Sequence, residues 1–348
     1  MKIKIVIVFT MLLSIMACEN QDNIVEDYKS TSVYFPYQRP ARTLVLGEYD
    51  LGFNDNDNNG RFEIGVVMSG VFENKEDRKV YFELAPELID ANTLGVTAVN
   101  VEVLPPAYYT IEQESPVTIP AGSINGRIPV QLEDAFFDDP LSFGAKNETH
   151  YVIPLKITDY ENLDSLLTGV PAVTNPIKIL DDNWNPTPKD YTLFGIKFMN
   201  KYQGKYLRRG EDVRTNDLGE VETVTYRSEF VEDDELIDLI TSGRFDVDYT
   251  NRVRRGDLVS PGDVNIKLMF NENDTCTITG TDGNPYNVSG TGEFVVDGDE
   301  WGGEKRNVIY LDYQYNDATN NETHAVKDTL VIRNRDVIFE EFIVELTE

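Results

Sequence analysis

Hydrophobic and polar residues alternate along most of the chain after Thr31, with the two-residue period of half-buried β-strands. Ile128, Val130 and Leu132, for example, fall on one side of such a run, with polar or proline residues between them. The runs are short, rich in β-branched and aromatic residues, and separated by Gly, Pro, Asn and Asp turns. Over residues 31–180 this pattern predicts a β-sandwich of the immunoglobulin-like type.

A polar stretch with two prolines, residues 181–190, follows these strands and predicts a linker. Strand-like runs then succeed one another through tight turns, and one short helix is expected at 233–241. Consecutive hairpins predict that residues 191–348 form a small antiparallel β-barrel, because closure removes exposed sheet edges. The predicted fold class is therefore all-β, with a sandwich followed by a barrel.

The first residues of the chain depart from this pattern. Lys2 and Lys4 precede a continuous apolar run, and Ala17 stands directly before Cys18. This arrangement is typical of a bacterial lipoprotein signal peptide, in which residues 1–17 are removed and the cysteine carries acyl chains. An uncleaved membrane-spanning helix is the alternative, but it needs about 20 apolar residues. The run here is shorter, so acylation is the preferred interpretation.

Residues 18–30 are polar and acidic and show no periodicity. They predict a flexible tether between the lipid and the folded part of the chain. Acylation of Cys18 would hold the protein outside the cytoplasm on a membrane face.

The chain is strongly acidic, with 61 Asp and Glu residues against 31 Lys and Arg residues and a net charge of −30. Such a field repels phosphate backbones and anionic lipid head groups, so nucleic acid is excluded as a partner. The acidity alternatively serves only to keep a surface protein soluble. Partners are expected to be neutral or cationic.

Few residues in this chain are suited to nucleophilic or zinc chemistry. Cys276 lies in a strand-like alternation and is expected to be a small buried hydrophobe. His150 and His324 are the two histidines of the chain, and both are predicted to be ordinary surface residues. No serine triad or zinc ligand set can be assembled from them.

A calcium loop is one candidate for metal binding. Asp55, Asp57, Asn59 and Gly60 match the first six positions of the motif, in which alternating oxygen ligands surround the cation. The twelfth position is Val66, where the motif requires a bidentate Glu. The same residues also suit a turn between two strands. The sequence therefore predicts no cofactor other than possible Ca²⁺ at Asp55, Asp57 and Asn59.

Several segments share a recognisable family pattern, and they cover nearly the whole chain after the tether. They are residues 31–35, 108–111, 117–122, 151–157, 194–210 and 328–335. The first four resemble an immunoglobulin-like module of unknown function that also precedes some surface endoglycosidases. The last two resemble a lipocalin-like domain that often follows it. Together they resemble the two-domain surface lipoproteins of Bacteroidetes.

This resemblance implies a C-terminal barrel of the lipocalin-like type and a link to glycan use. It also implies an outer-membrane lipoprotein that faces the cell exterior, since acidic residues such as Glu19 and Asp22 follow the lipidated cysteine in that group. The chain would then work beside a glycan-uptake complex.

Two tryptophans are the candidates for sugar contacts. Trp301 lies in a turn-rich loop with Arg306, and Trp184 lies in the predicted linker. Sugar faces stack on aromatic rings, while polar side chains such as arginine bond the hydroxyl groups. Trp184 would alternatively fill the junction between domains, and Trp301 would cap the mouth of the barrel.

These patterns favour a non-catalytic, lipid-anchored surface protein that binds or presents glycans. The alternative is a structural or adhesion subunit that binds a protein partner. A glycoside hydrolase is less favoured, because no pair of carboxylates stands out among the 61 acidic residues.

Overall fold

The computed structural model describes residues 27–28, 30–49, 51–89, 101–144, 146, 148–255 and 258–342. Cys18, the predicted signal peptide and most of the predicted tether lie outside these residues. Within the described part of the chain, no helix is both long and apolar enough to cross a membrane. The fold is all-β, as predicted.

The N-terminal part forms two sheets from short strands, with two single-turn α-helices between them. In chain order the elements are β1 (Ser32–Tyr34), β2 (Pro40–Val45), α1 (Asp55–Asn58), β3 (Arg61–Ser69), β4 (Arg78–Leu84), β5 (Glu102–Val103), β6 (Tyr109–Ile111), β7 (Val117–Ile119), β8 (Asn125–Leu132), α2 (Asp134–Phe137), β9 (Tyr151–Glu161), β10 (Ser165–Leu166) and β11 (Tyr191–Met199). Single 3-10 turns lie at Pro86–Leu88, Pro106–Tyr108, Pro140–Ser142 and Asp181–Asn183.

The two sheets pack face to face. One has the strand order β10-β1-β3-β8-β6, and the other has the order β2-β11-β9-β4-β7 with β5 beside β9. Ile64 and Ile128 of the first sheet and Leu44 and Ile153 of the second belong to one buried core. The alternation of buried and exposed residues along β3 and β8 explains why these strands were visible in the sequence.

The boundary predicted at residue 191 is wrong for the strand that follows it. β11 was expected to open the barrel, but it lies inside the sandwich between β2 and β9. A two-residue strand near the C terminus, β21 (Glu340–Glu341), also joins this sheet by pairing with β2. Nearly all of β11 is buried, so its continuous apolar character reflects burial on both faces.

The C-terminal part is a closed antiparallel barrel of eight strands, in agreement with the prediction. Its eight strands are β12 (Gly204–Asn216), β14 (Glu235–Thr241), β15 (Asp246–Arg255), β16 (Leu258–Phe270), β17 (Thr275–Gly280), β18 (Ser289–Trp301), β19 (Glu304–Asp317) and β20 (Glu322–Asn334), and a ninth strand, β13 (Val221–Tyr226), lies beside them. The barrel closes because β12 pairs with β20 as well as with β14, and β13 extends the far end of β12.

The helix predicted at 233–241 is absent from these described residues. A 3-10 turn at Val231–Asp233 leads directly into β14, which pairs with residues 204–208 of β12. Backbone hydrogen bonding to β12 outweighs the local helical pattern, because pairing between strands routinely overrides intrinsic helix propensity.

Side chains fill the interior of the barrel. Tyr202 and Phe270 stack with their ring centroids 3.7 Å apart, and Phe294 meets Tyr202 edge-on. Deeper in the barrel, Arg208 Nη2 lies 2.9 Å from Asp328 Oδ2, and both residues are buried. Tyr226 donates its hydroxyl to the same carboxylate. The interior therefore holds a packed core with a buried polar network.

Candidate binding cleft between the sandwich and the barrel

A cleft lies where the sandwich meets the barrel, at the end of the sandwich where β3 begins. It encloses about 490 Å³, which is within the usual range for small-molecule sites. We call it the junction cleft, and we define it by Asn58, Asn59, Gln131, Lys201, Arg244 and Phe245.

Amide side chains from the sandwich form one wall of the junction cleft. Asn58 and Asn59 are exposed at the end of α1, where Asn58 Oδ1 accepts a hydrogen bond from the backbone N–H of Gly47 at 2.7 Å. Gln131 of β8 donates through Nε2 to the carbonyl of Asn59 at 2.9 Å. These bonds, with the one from Asn59 Nδ2 to the carbonyl of Asp55 at 2.8 Å, hold the three amides in position beside the opening.

The turn between β14 and β15 forms the opposite wall. Phe245, in this turn, is 45% exposed. Arg244, next to it, lies with its guanidinium carbon 5.7 Å from the ring centroids of both Phe245 and Phe137. Arg244 also pairs with Asp134 at 2.8 Å and thereby crosses the junction from barrel to sandwich.

Gly47 and Lys201 meet at the base of the junction cleft. A Cβ atom on Gly47 would lie 2.4 Å from Lys201 Cβ, and Gly47 has a φ of +84°, so only glycine fits this position. The Lys201 ammonium lies 2.5 Å from Asp274 Oδ1. The backbones of the sandwich and the barrel are therefore in direct contact below the cleft.

Arg335 connects the sandwich and the barrel at this junction. Its guanidinium donates to the carbonyls of Leu46 and Glu48 on the sandwich side, at 3.0 and 2.8 Å. It also donates to the carbonyls of Asn200 and Gln203 at the start of the barrel, at 2.7 and 2.8 Å. Such charge-assisted bonds are individually stronger than neutral ones, so the walls of the cleft are held in a defined arrangement.

Trp301 and Arg306, predicted to contact a glycan, lie together at the end of the β18–β19 hairpin. The Arg306 guanidinium carbon lies 4.6 Å from the ring centroid of Trp301, so arginine covers the ring. The indole N–H donates to the carbonyl of Ile332 at 3.0 Å. These contacts fit the alternative of a structural tryptophan, and neither residue lines the junction cleft.

Trp184 is partly buried and also makes structural contacts. Its indole N–H donates to the carbonyl of Ile177 at 2.9 Å, and Lys178 Nζ lies 5.4 Å from the ring centroid. Its backbone forms an isolated bridge with Pro171. Trp184 therefore holds the irregular segment before β11.

The acidic loop predicted to bind calcium is instead a helical turn, α1. Asp57 is buried, and its carboxylate accepts from Arg42 Nη2 at 2.6 Å and from the backbone N–H of Val45 at 2.9 Å. Asn59 donates to the carbonyl of Asp55 at 2.8 Å. Among the described residues, no three His, Cys, Asp or Glu side chains form a group able to hold a metal ion. Calcium at Asp55, Asp57 and Asn59 stays a prediction, and Asp57 would have to leave Arg42 to serve it.

The prediction that His324 is a surface residue is wrong. His324 is 1% exposed and lies in β20, because that strand begins at Glu322 and includes residues that the polar pattern assigned to a loop. Its Nδ1 lies 2.9 Å from Asp212 Oδ1, and its ring stacks on Tyr315 at 4.4 Å. Cys276 is buried, as expected, and burial raises the pKa of its thiol to about 12.

Sequence reasoning missed the junction cleft. Phe245 sits in the short turn sequence Ser-Gly-Arg-Phe-Asp, and Asn59 was considered only as a metal ligand or a turn residue. The signal that could have drawn attention to Phe245 is a large aromatic residue at a turn that also contains glycine and arginine.

The geometry defines an all-β protein with a rigid, polar and partly aromatic cleft at the junction of its two parts. Two family models match the chain: an N-terminal domain model over residues 28–164 and a domain of unknown function, DUF5627, over residues 201–336. No curated protein is significantly similar to it.

Solved structures show the family. A protein of unknown function from Bacteroides ovatus is 32% identical, with a TM-score of 0.81 over 92% of this chain and 99% of that one. The chain therefore belongs to a two-domain family of Bacteroidetes proteins of unknown function. An auxiliary nutrient binding protein from Bacteroides thetaiotaomicron is 14% identical with a TM-score of 0.38, over 86% of this chain and 95% of that one. That likeness is too remote to bear on function.

Proposed function

We propose that this chain is a non-catalytic, lipid-anchored protein of the outer-membrane surface that binds or presents glycans for an associated uptake system. We further propose that the junction cleft is its glycan-binding site. The observation that carries the proposal is that the exposed ring of Phe245 and a group of amide side chains line the same cleft.

The residue types of the cleft suit a sugar. A pyranose has a C–H face that packs on an aromatic ring and hydroxyl groups that exchange hydrogen bonds with amides. Phe245 offers the ring, and Asn58, Asn59 and Gln131 offer the amides. The volume of about 490 Å³ accommodates a short oligosaccharide segment.

The fixed junction also favours binding. A site that is already formed before the ligand arrives loses less conformational entropy when the ligand binds. Arg335 and the Arg244–Asp134 pair hold the two walls through bonds within the protein. The cleft therefore has the preorganisation that weak sugar contacts require.

The carboxylates of the cleft do not resemble a glycosidase pair. Glu133 and Asp134 are both exposed, Asp134 pairs with Arg244, and Glu133 accepts a hydrogen bond from Thr110. A glycosidase acid needs an environment that keeps it protonated, commonly an apolar pocket. The geometry favours binding without hydrolysis.

Lipidation would make a weak site effective. The sequence from Lys2 to Cys18 has the order of a lipoprotein signal. A tethered binding module experiences a high local concentration of ligand and partners, so modest affinity is sufficient for retention. Labelling cells with a palmitate analogue tests this part: wild type should be labelled and Cys18→Ser should not be. Wild-type protein that carries no label would contradict it.

Affinity electrophoresis through gels that contain polysaccharides tests the cleft. We expect Phe245→Ala to weaken retention about tenfold, the loss that corresponds to about 1.4 kcal/mol. The matched control is Phe72→Ala, because Phe72 is 87% exposed and follows the opposite end of β3. Equal retention of both variants on every glycan that the wild type binds would refute the cleft as the site.

A protein partner is the second candidate function, and one observation favours it. Tyr37 and Phe339 are 48% and 65% exposed, and their rings lie 5.0 Å apart beside an apolar cavity of about 190 Å³. Exposed apolar clusters commonly mark interaction sites. Co-purification of one protein with the wild type but not with Phe339→Ser would favour this function.

A further inference from the structure

The cations of the junction cleft are engaged within the protein. Arg244 pairs with Asp134 at 2.8 Å and approaches Asp138 at 3.4 Å. Lys201 pairs with Asp274 at 2.5 Å. An anionic ligand would have to replace a carboxylate that already occupies each cation.

The remaining charges at the opening are negative. Glu133 is exposed beside Gln131, and the side chain of Asp134 is 86% exposed even though one of its oxygens meets Arg244. The chain as a whole carries a net charge of −30. The charges at the opening and the net charge of the chain therefore both oppose the approach of an anionic ligand.

The groups that face a ligand without bearing charge are the amides of the cleft and the ring of Phe245. Amides donate and accept hydrogen bonds with hydroxyl groups, and the ring packs on C–H groups. Neither needs a charged sugar.

Building on the proposed function, we infer that the junction cleft selects uncharged sugars and excludes uronate-containing and sulfated glycans. Glu133, exposed at the opening, sets this specificity. Arg244 serves as a strut between barrel and sandwich, and its charge is neutralised by the acids beside it.

The same gel assay tests this inference with two probe classes: neutral polysaccharides such as xyloglucan and galactomannan, and the anionic polysaccharides polygalacturonate and chondroitin sulfate. Wild type should be retained by at least one neutral polysaccharide and at least about tenfold less by either anionic one. Raising the ionic strength from about 0.01 to about 0.15 M shortens the Debye length from about 30 to about 8 Å. The higher ionic strength should therefore strengthen binding of the anionic polymers and reduce the difference in retention between them and the neutral polysaccharide.

The variant Glu133→Gln should gain retention on the anionic polymers relative to the neutral one, and it leaves the Arg244–Asp134 pair in place. The matched control is Glu229→Gln, which changes the total charge equally at an exposed position outside the cleft lining. A gain in the first variant alone supports local selection. An equal gain in both variants overturns the role of Glu133, because total charge would then explain it.

Failure of the inference and failure of the proposed function have different signatures. Wild type that binds an anionic polymer as well as a neutral one overturns the inference and leaves glycan binding intact. Wild type that is retained by no polysaccharide in either class overturns both. Thermal melting of each variant confirms that the fold is retained before retention is compared.

Discussion

Trp301 donates its indole N–H to the backbone carbonyl of Ile332 at 3.0 Å. The bond joins the tip of the β18–β19 hairpin to β20 on the other side of β19. Since the ring is also covered by Arg306, this tryptophan contributes to the stability of the barrel.

Replacing Trp301 with Phe should therefore lower the free energy of unfolding by about 1 kcal/mol, the usual net worth of one hydrogen bond. Urea denaturation followed by circular dichroism measures it. The variant should keep its glycan retention, because Trp301 lies outside the junction cleft. Unchanged stability together with lost glycan retention would contradict the structural role assigned to Trp301.

Arg335→Met should be strongly destabilising. It removes the donors that satisfy the carbonyls of Leu46, Glu48, Asn200 and Gln203, so we expect a loss of at least about 3 kcal/mol. Arg333, two residues earlier and within β20, is exposed, and Arg333→Met is the matched control. Equal denaturation midpoints for the two variants would show that the clamp contributes nothing measurable.

Gly210→Ala should disrupt the polar network inside the barrel. The new Cβ would lie 2.2 Å from the carbonyl oxygen of Lys327 and 2.6 Å from Asp328 Oδ1, so the strands would have to separate. Overpacking of this kind costs about 1 to 3 kcal/mol or more. Gly65→Ala is the control, because its Cβ meets nothing within 4 Å. Calorimetry should show a lower melting temperature for the first variant alone.

Asp139 should make the sandwich sensitive to acid. Burial alone would raise the pKa of its carboxyl, but hydrogen bonds from the Leu141 N–H and the hydroxyls of Tyr108 and Tyr151 outweigh burial and hold the pKa below its usual value. A carboxyl with a lowered pKa in the folded state stabilises the fold above its unfolded pKa. That contribution is lost as the pH falls through the folded value.

Melting temperatures measured between about pH 6 and pH 2 therefore should fall less steeply for Asp139→Asn than for wild type below about pH 4. Asp159→Asn, at an exposed position, should follow the wild-type curve. Parallel curves for wild type and Asp139→Asn would exclude a role for Asp139 in acid stability.

The sequence was most informative where one physical cause dominates. Alternation along β3 and β8 predicted strands of the sandwich, because one face of each strand is buried. The tight hairpin turns of the C-terminal part likewise predicted a barrel. Cys276 was assigned correctly as buried from its place in such an alternation.

Prediction from the sequence failed where contacts between residues far apart in the chain decide the local structure. β14 looked helical in isolation, and β12 imposes the strand. His324 looked exposed because its neighbours are polar, yet inside the barrel its Nδ1 lies 2.9 Å from a carboxylate oxygen of Asp212, 112 positions earlier in the chain. The junction cleft is lined by both Gln131 and Phe245, which are 114 positions apart in the chain. No local sequence pattern connects these two residues.

The sheet order has a consequence for how the molecule can be made and dissected. β11 and β21 flank β2, yet the whole barrel lies between them in the chain. The second sheet thus acquires its last member only after the barrel has been synthesised. A fragment ending at residue 190 would lack β11 and β21, so the edges of β2 and β9 would be unpaired. Unpaired strand edges pair with those of other molecules and promote aggregation. The smallest autonomous unit therefore includes both halves.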